Sequence, residues 1–211
     1  MSIARLVSIT PKAEELITYC ARVSNPTNQE LNPDSERLVK YLIKHNHWSP
    51  FEMAHMVIEI NTTRAVAAQI LRHRSFSFQE FSQRYADVSL MDFASAPQLR
   101  RQDTKNRQNS IDDLDDDLIT NYTSEVEELY KASESLYKRL LADGVAKECA
   151  RDILPLGTPT RLYMSGTIRS WIHYIKLRAG NGTQLEHQQI AVAIGDIVKQ
   201  ELPNIYAASL S

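Results

Sequence analysis

"MAHMVIEINTTRAVAAQILRHR", residues 53–74, changes its hydrophobic period half-way along. Met56, Ile58 and Ile60 alternate with His55, Val57 and Glu59, and β-branched residues dominate, which is the pattern of a strand with one buried face. Beyond Thr63 the alternation stops, and "RAVAAQILRHR" reads as a helix with Asn61 or Thr62 in position to cap it. On such a helix Gln69, Arg72 and His73 stand at i, i+3 and i+4 and would share one face. The basic cluster then lies where chain emerges from a helix end, a natural place for a binding loop.

Working outward, residues 1–10 alternate weakly, as an edge strand would. "PKAEELITYCARVS" (11–24) has Pro11 near a helix start and an apolar spacing of Leu16, Ile17 and Cys20. "DSERLVKYLIKHNHW" (34–48) reads as a second helix, capped by Asp34 or Ser35, with Leu38, Leu42 and Ile43 facing inward. It must stop by Ser49–Pro50–Phe51. Residues 95–117 loosen into a polar stretch that is expected to be a mobile surface segment and a candidate lid. "YTSEVEELYKASESLYKRLLADG" (122–144) is a long amphipathic helix with Gly144 as its C-cap, and "VAKECARDILP" (145–155) a shorter one stopped by Pro155. "TRLYMSGT" (160–167) looks extended, and "IRSWIHYIKLRAG" (168–180) reads as a helix ending at Gly180. "TQLEHQQIAVAIGDIVKQEL" (183–202) reads as a final helix, capped by Thr183 and stopped by Pro203. Helices with a few non-consecutive strands define an α+β class. Without repeats or a visible boundary, residues 1–211 read as a single domain.

Composition narrows the function. With 43% hydrophobic residues in 211, the chain builds a real core. A net charge of −2 argues against a surface that grips nucleic acid, but leaves room for a local basic pocket. Six glycines, in neither a Rossmann nor a P-loop arrangement, mean that any nucleotide must be held by side chains. The two cysteines, Cys20 and Cys149, show neither metal spacing nor a disulfide framework. No apolar run approaches a membrane span or a signal peptide, so a soluble protein of a reducing, cytoplasmic compartment is expected.

The chemistry concentrates in "RHRSFSFQEFSQRY", residues 72–85. Arg72, Arg74 and Arg84 offer planar forks that suit phosphate or carboxylate. Ser77 and Ser82 can donate to phosphate oxygens, Glu80 can accept from a ring N–H or a ribose hydroxyl, and Tyr85 offers a face or a phenol. A helix end decorated with cations, followed by a polar loop, would look the same on these residues alone. His45 and His47 in "HNHWSPFE" (45–52) lack partners at zinc spacing and read as a polar turn before a strand. "DDLDDD" (112–117) lacks the glycine and terminal glutamate of a calcium loop and reads as a solvated flank of a helix N-terminus. Gln184, Glu186 and Gln188 are expected on one helical face, where their amides could read a heterocycle.

Taken in order, these segments resemble the flavin-dependent thymidylate synthases, the ThyX family. Arg72-His73-Arg74, seven residues, then Ser82 is similar to the family's RHR-x7-S signature, and Ser77, Glu80, Arg84 and Tyr85 extend the match. His47-Trp48-Ser49-Pro50-Phe51-Glu52 resembles its H-x-[ST]-P-F-E element, and "ARDILP", "IRSWIHYIKLR" and the Gln184/Glu186 helix fall where the family has counterparts. The resemblance runs from about Cys20 to Pro203. It implies helices around a small antiparallel sheet, and a homotetramer whose sites are shared between subunits. It also implies reductive methylation of dUMP to dTMP, with methylenetetrahydrofolate as carbon donor, FAD as hydride carrier and NADPH as reductant.

Residue by residue, the resemblance places Gln69, Arg72, Glu80, Phe81, Ser82, Gln83, Arg84, Arg151 and Arg178 at dUMP. Arg178 and Ser82 are the catalytic candidates. Arg178 would stabilise the N3-deprotonated uracil. For Ser82 a nucleotide-binding role is preferred over a nucleophilic one, because no activating base is evident. The resemblance places Ser49, Arg72, His73, Arg74, Glu80, Thr167, Ile168, Arg169 and His173 along FAD, and His47 near the folate or flavin ring. No metal is implied. Gln79, Met53, Thr167 and the stretch "GNGT" (180–183) depart from the family's usual residues, which implies weaker or differently posed FAD binding.

Overall fold

A computed structural model describes residues 3–31 and 35–211. The expected α+β class is borne out, with helices and a small antiparallel sheet. Strand β1 (Ala4–Ile9) leads to helix α1 (Ala13–Ala21) and then to α2 (Glu36–Lys44). Strand β2 (His55–Thr63) runs directly into α3 (Arg64–Ile70), followed by β3 (Ser77–Glu80). The short strands β4 (Arg101–Gln102) and β5 (Ser110–Ile111) precede α4 (Asp116–Ala142) and α5 (Lys147–Ala150). Strand β6 (Pro159–Thr167), α6 (Ile168–Arg178), α7 (Leu185–Glu201) and α8 (Pro203–Ser209) complete the chain. The main sheet has the order β1-β2-β6-β3, so β1 is the edge strand that the weak alternation foretells, and β4 pairs with β5 separately.

The chain divides into two compact units, one of Met1–Ile60, Leu71–Gln79 and Tyr163–Ser211, the other of Asn61–Ile70 and Glu80–Leu162. In the first, Met56, Ile58 and Ile60 point inward as their period requires, and α6 and α7 contribute Trp171, Tyr174, Ile190, Ile194 and Val198. Glu59, expected to face outward, is also buried. Arg5 pairs with it at 2.9 Å and the Tyr163 hydroxyl donates to it at 3.0 Å, so the charge is compensated. In the second unit Val88, Tyr137 and Ala150 form a core flanked by Phe93, Leu140, Leu141, Val145, Ile153 and Leu154. The Tyr137 hydroxyl accepts from the buried Val88 N–H at 3.2 Å.

Several boundaries differ from expectation. Helix α3 stops at Ile70, so Arg72 and His73 lie in the following turn and do not share a helical face with Gln69. Asn61 and Thr62 belong to β2, and the Val66 N–H instead reaches Thr63 Oγ1. Helix α4 begins six residues before Tyr122, at Asp116, because Asp115 accepts from the amides of Asp117 and Leu118. Gly144 follows that helix at φ 83°, as a C-terminal glycine should. Gln184, not Thr183, precedes α7, and Pro203 opens α8 after that helix ends. Proline fits a first turn, where its missing N–H is not needed. Ser35 precedes α2 without a side-chain cap, and Asp34 lies outside the described residues.

The segment 95–117 is laced by local bonds. Arg101 pairs bidentately with Asp113 at 2.8 and 2.6 Å, Gln98 donates to Asp112, and Asp103 accepts from the amides of Lys105 and Asn106. The acidic run therefore has structural work: Asp113 in an ion pair, Asp112 with an amide, Asp115 as a cap.

Candidate functional site

Within the first unit, α2 closes in a turn that positions His47. Asn46 takes a left-handed φ of 57°, its N–H bonds to Ile43 O, and the His47 N–H bonds to Leu42 O. This is a Schellman closure, which asparagine tolerates in place of glycine. His47 is exposed, with its ring 6.0 Å from Tyr41 and 6.2 Å from His45. Ser49 is exposed and opens the short 3₁₀ turn Ser49–Glu52, in which Phe51 is fully buried.

Helix α6 starts where Thr167 accepts from the Ser170 N–H, so this hydroxyl serves as an N-cap. Ile168 is buried and its N–H bonds to Ala54 O, so its side chain belongs to the core. Arg169, His173 and Lys176 follow at helical spacing and line one side of a cleft of about 430 Å³. Trp48, Glu52, Ser75, Ser170 and Ile172 complete it, and Arg169 donates to Glu52.

At the other end of α6, Arg178 Nε donates to His73 Nε2 at 3.0 Å. Only an unprotonated nitrogen can accept, so His73 is neutral with its proton on Nδ1. Burial, helped by the Arg178 charge, pushes the His73 pKa down to about 4. Beside it, Tyr174 and the fully buried His187 share a hydrogen bond at 3.1 Å. Burial and Arg178 likewise lower His187 to about 4, and burial raises the Tyr174 phenol. Phe76 packs edge-on against Trp171 at 4.7 Å and fills the space above Gly166, where a Cβ would lie 2.4 Å from its ring. Arg72 and Arg74 flank this anchored turn and are exposed.

In the second unit, Ser82, Arg84 and Tyr85 line a cleft of about 500 Å³ with Ala146, Lys147 and Glu148. Arg84 pairs with Glu148 at 3.0 Å, with both side chains more than half exposed. Glu80 accepts at Oε1 from Arg64 at 2.6 Å and from Thr160 at 3.0 Å. Gln83 does not line this cleft; it is buried, and its Nε2 has no hydrogen-bond partner among the described residues. Phe81 is half-buried, and its N–H bonds to Arg161 O. Gln69 lies on α3, and Arg151 opens the 3₁₀ turn Arg151–Ile153.

The candidates thus fall into two groups. Arg178 joins His73, and Arg169 joins His173, in the first unit; Ser82 joins Arg84 in the second. Gln184 and Glu186 bond to each other, and Gln188 donates to Ala179 O, so that trio forms no common reading face. Residues that the sequence reading passes over are His187, Tyr174, Arg64, Lys147 and Glu148. His187 carried a signal, since it shares the helical period of Ile190, Ala191 and Ile194 and so had to be buried. The others reach their partners only through the fold. Among the described residues no group of three or more His, Cys, Asp or Glu is disposed to hold a metal, and no helix is long and apolar enough to cross a membrane.

Residues 5–204 match the family model described as thymidylate synthase complementing protein. A probable flavin-dependent thymidylate synthase of Paramecium bursaria Chlorella virus 1 is 55% identical over 97% of each chain. A flavin-dependent thymidylate synthase of Synechocystis sp. is 52% identical over 92% of this chain and 88% of its own. A solved UMP/dUMP methylase, PolB of Streptomyces cacaoi bound with 5-Br UMP, superposes with a TM-score of 0.85 at 25% identity, covering 97% of this chain and 92% of that one. The family model, the relatives and the matching fold agree: the chain belongs to the flavin-dependent thymidylate synthase family of methyltransferases.

Proposed function

We propose that this protein converts dUMP to dTMP, taking the one-carbon unit from methylenetetrahydrofolate, with FAD as hydride carrier and NADPH as reductant. One observation carries the reading. The Arg178 guanidinium is held by a neutral imidazole, and among the described residues it forms no ion pair. Its charge is therefore not cancelled by a carboxylate and stays available to an anion. Beside a uracil, such a cation favours loss of the N3 proton and makes C5 a better nucleophile. A ring activated in this way needs no cysteine at C6, and neither Cys20 nor Cys149 lines either cleft. The dUMP methylase fold and the names of the relatives support the same substrate.

In this reading Ser82 and Arg84 bind the nucleotide phosphate, and Gln69, Arg72, Glu80, Phe81, Gln83 and Arg151 complete its contacts. The site is shared between subunits of a homotetramer, so one chain alone leaves it incomplete. Each copy contributes one synthase domain, residues 1–211, and the enzyme works in the cytoplasm, or the host cytoplasm if its source is viral.

The cleft of Arg169, His173 and Lys176 fits part of a flavin cofactor: Arg169 and Lys176 for its phosphates, Trp48 and Ile172 for its apolar surface. Ser49, Arg72, His73, Arg74, Glu80 and the turn at Thr167, Ile168 and Arg169 that opens α6 would extend that hold, with His47 at the folate or flavin ring. When bound, FAD supplies the hydride that turns the transferred methylene into a methyl group. His73, locked as the Nδ1–H tautomer, orients Arg178.

The test is an anaerobic visible spectrum of the protein with FAD, followed by NADPH, dUMP and then methylenetetrahydrofolate. Bleaching of the oxidised flavin band and its return with dTMP and tetrahydrofolate formed is the expected result. Nucleotide binding without any flavin spectrum or NADPH oxidation overturns the proposal.

A further inference from the structure

A second cleft in the first unit, about 580 Å³, is lined by Arg22, Ser24, Asn25, Arg37 and Tyr41, none of which is among the candidate site residues. Among the described residues its lining holds two guanidinium groups and no carboxylate, and neither arginine forms an ion pair. The nearest acid on α2, Glu36, is occupied by Lys40. Two forks with hydroxyl and amide donors between them are the chemistry of an anion site.

Ring contacts link its Tyr41 to His47. Arg37 and Tyr41 are at i and i+4 on α2, so they share a face. Tyr41 packs at a tilt of 40° against His45 with ring centroids 4.4 Å apart, and His45 and His47 are 6.2 Å apart. A ladder of rings therefore leads from the two arginines to His47. From Arg37 to His45 the helical rise gives about 12 Å, a span that an extended aminobenzoyl-glutamate unit covers.

We propose that this cleft binds the carboxylate-bearing glutamyl tail of the folate co-substrate, with the aminobenzoyl ring lying along Tyr41 and the tail carboxylates on Arg22 and Arg37. The inference rests on the folate reading above, which places the pterin end at His47. Each glutamyl unit added to the tail adds one carboxylate, so affinity rises with tail length and the gain shrinks as salt screens the exposed arginines.

The experiment compares methylenetetrahydrofolate carrying one and three glutamyl units, as KM in dTMP synthesis and as binding by quenching of tryptophan fluorescence with the non-reacting tetrahydrofolates. It uses the wild-type protein, the Arg22→Ala/Arg37→Ala double variant, the charge-reversed Arg37→Glu variant and a Lys40→Ala control. Exposed ion pairs of this kind predict about a three- to tenfold preference for the longer tail in wild type. The double variant should lose that preference, Arg37→Glu should invert it, and Lys40→Ala should keep it, with kcat and the KM for dUMP unchanged throughout. Active wild-type enzyme with no tail preference, or a preference that survives in the double variant, overturns the proposal. So does a rise confined to the KM for NADPH, which would make the cleft a dinucleotide-phosphate site. If the wild type forms no dTMP, the functional reading fails, and the fluorescence titration still decides whether the cleft holds the tail.

Discussion

Arg178 Nε donates to His73 Nε2 across 3.0 Å, joining the end of α6 to a turn 105 residues earlier in the chain. The bond requires a neutral His73, and burial keeps it and His187 neutral down to about pH 4. Both folded pKa values lie below the ordinary 6.5, so the unfolded chain takes up protons that the folded one refuses. Their contribution to stability is complete above pH 6.5 and is lost as pH falls toward about 4. Each histidine sets an upper slope of about 1.4 kcal/mol per pH unit in that window. Urea denaturation at a series of pH values should show the loss, and His187→Gln, which keeps a polar partner for Tyr174, should reduce the slope by about half. A slope unchanged in that variant would mean that His187 does not titrate on unfolding.

Arg84 and Glu148 form an exposed pair, a class worth about 0–1 kcal/mol. Arg84→Ala should therefore leave the melting temperature nearly unmoved. If Arg84 holds the nucleotide phosphate, the same change raises the dUMP dissociation constant about 10- to 100-fold, the worth of a hydrogen bond to a charged group. Calorimetric titration of dUMP alongside thermal melts separates the two effects.

Gly166 leaves room for the Phe76 ring, and a methyl group there would stand 2.4 Å from Phe76 Cδ1. Gly166→Ala should push Phe76 off Trp171 and loosen the turn that carries Arg72, His73 and Arg74. An overpacking cost of about 1–3 kcal/mol is expected. Chemical denaturation gives the cost, and a shift in tryptophan emission reports the displaced ring. A variant that also carries Phe76→Leu should recover part of the loss.

Tyr137 is fully buried, and its hydroxyl is the partner of the Val88 N–H. Tyr137→Phe keeps the ring and deletes the acceptor, leaving a buried donor unsatisfied at a cost of about 1–3 kcal/mol. Equal stability of the two proteins in urea would show that the amide finds another partner.

Local patterns made β1, β2, β6 and most helices legible: period two in β2, period near 3.6 in α6 and α7, and Gly144 as a stop; β3, β4 and β5 fall in stretches that read as loops. What escaped was decided by contacts distant in sequence. Nothing in "AQILRHR" signals an end at Ile70, since neither glycine nor proline stands there; the turn is held by Phe76 lying over Gly166. Helix α8 was hidden because a proline that ends one helix also suits the first turn of the next. For the site, the motif residues were visible as a group, and the family resemblance gave them an order. The pairings were not visible, because spacing cannot show that Arg178 selects His73 or that Glu80 selects Arg64.

Thr167 caps α6 through its hydroxyl, and asparagine is an equally good residue at such a position. An exchange between the two leaves the helix intact while altering the group offered at the end of α6. If position 167 lies against a bound cofactor, as proposed, an exchange there changes that contact without a compensating change in the helix. One residue earlier the opposite holds: Gly166 admits no side chain while Phe76 stays in place, so neighbouring positions of one strand differ sharply in how freely lineages can explore them.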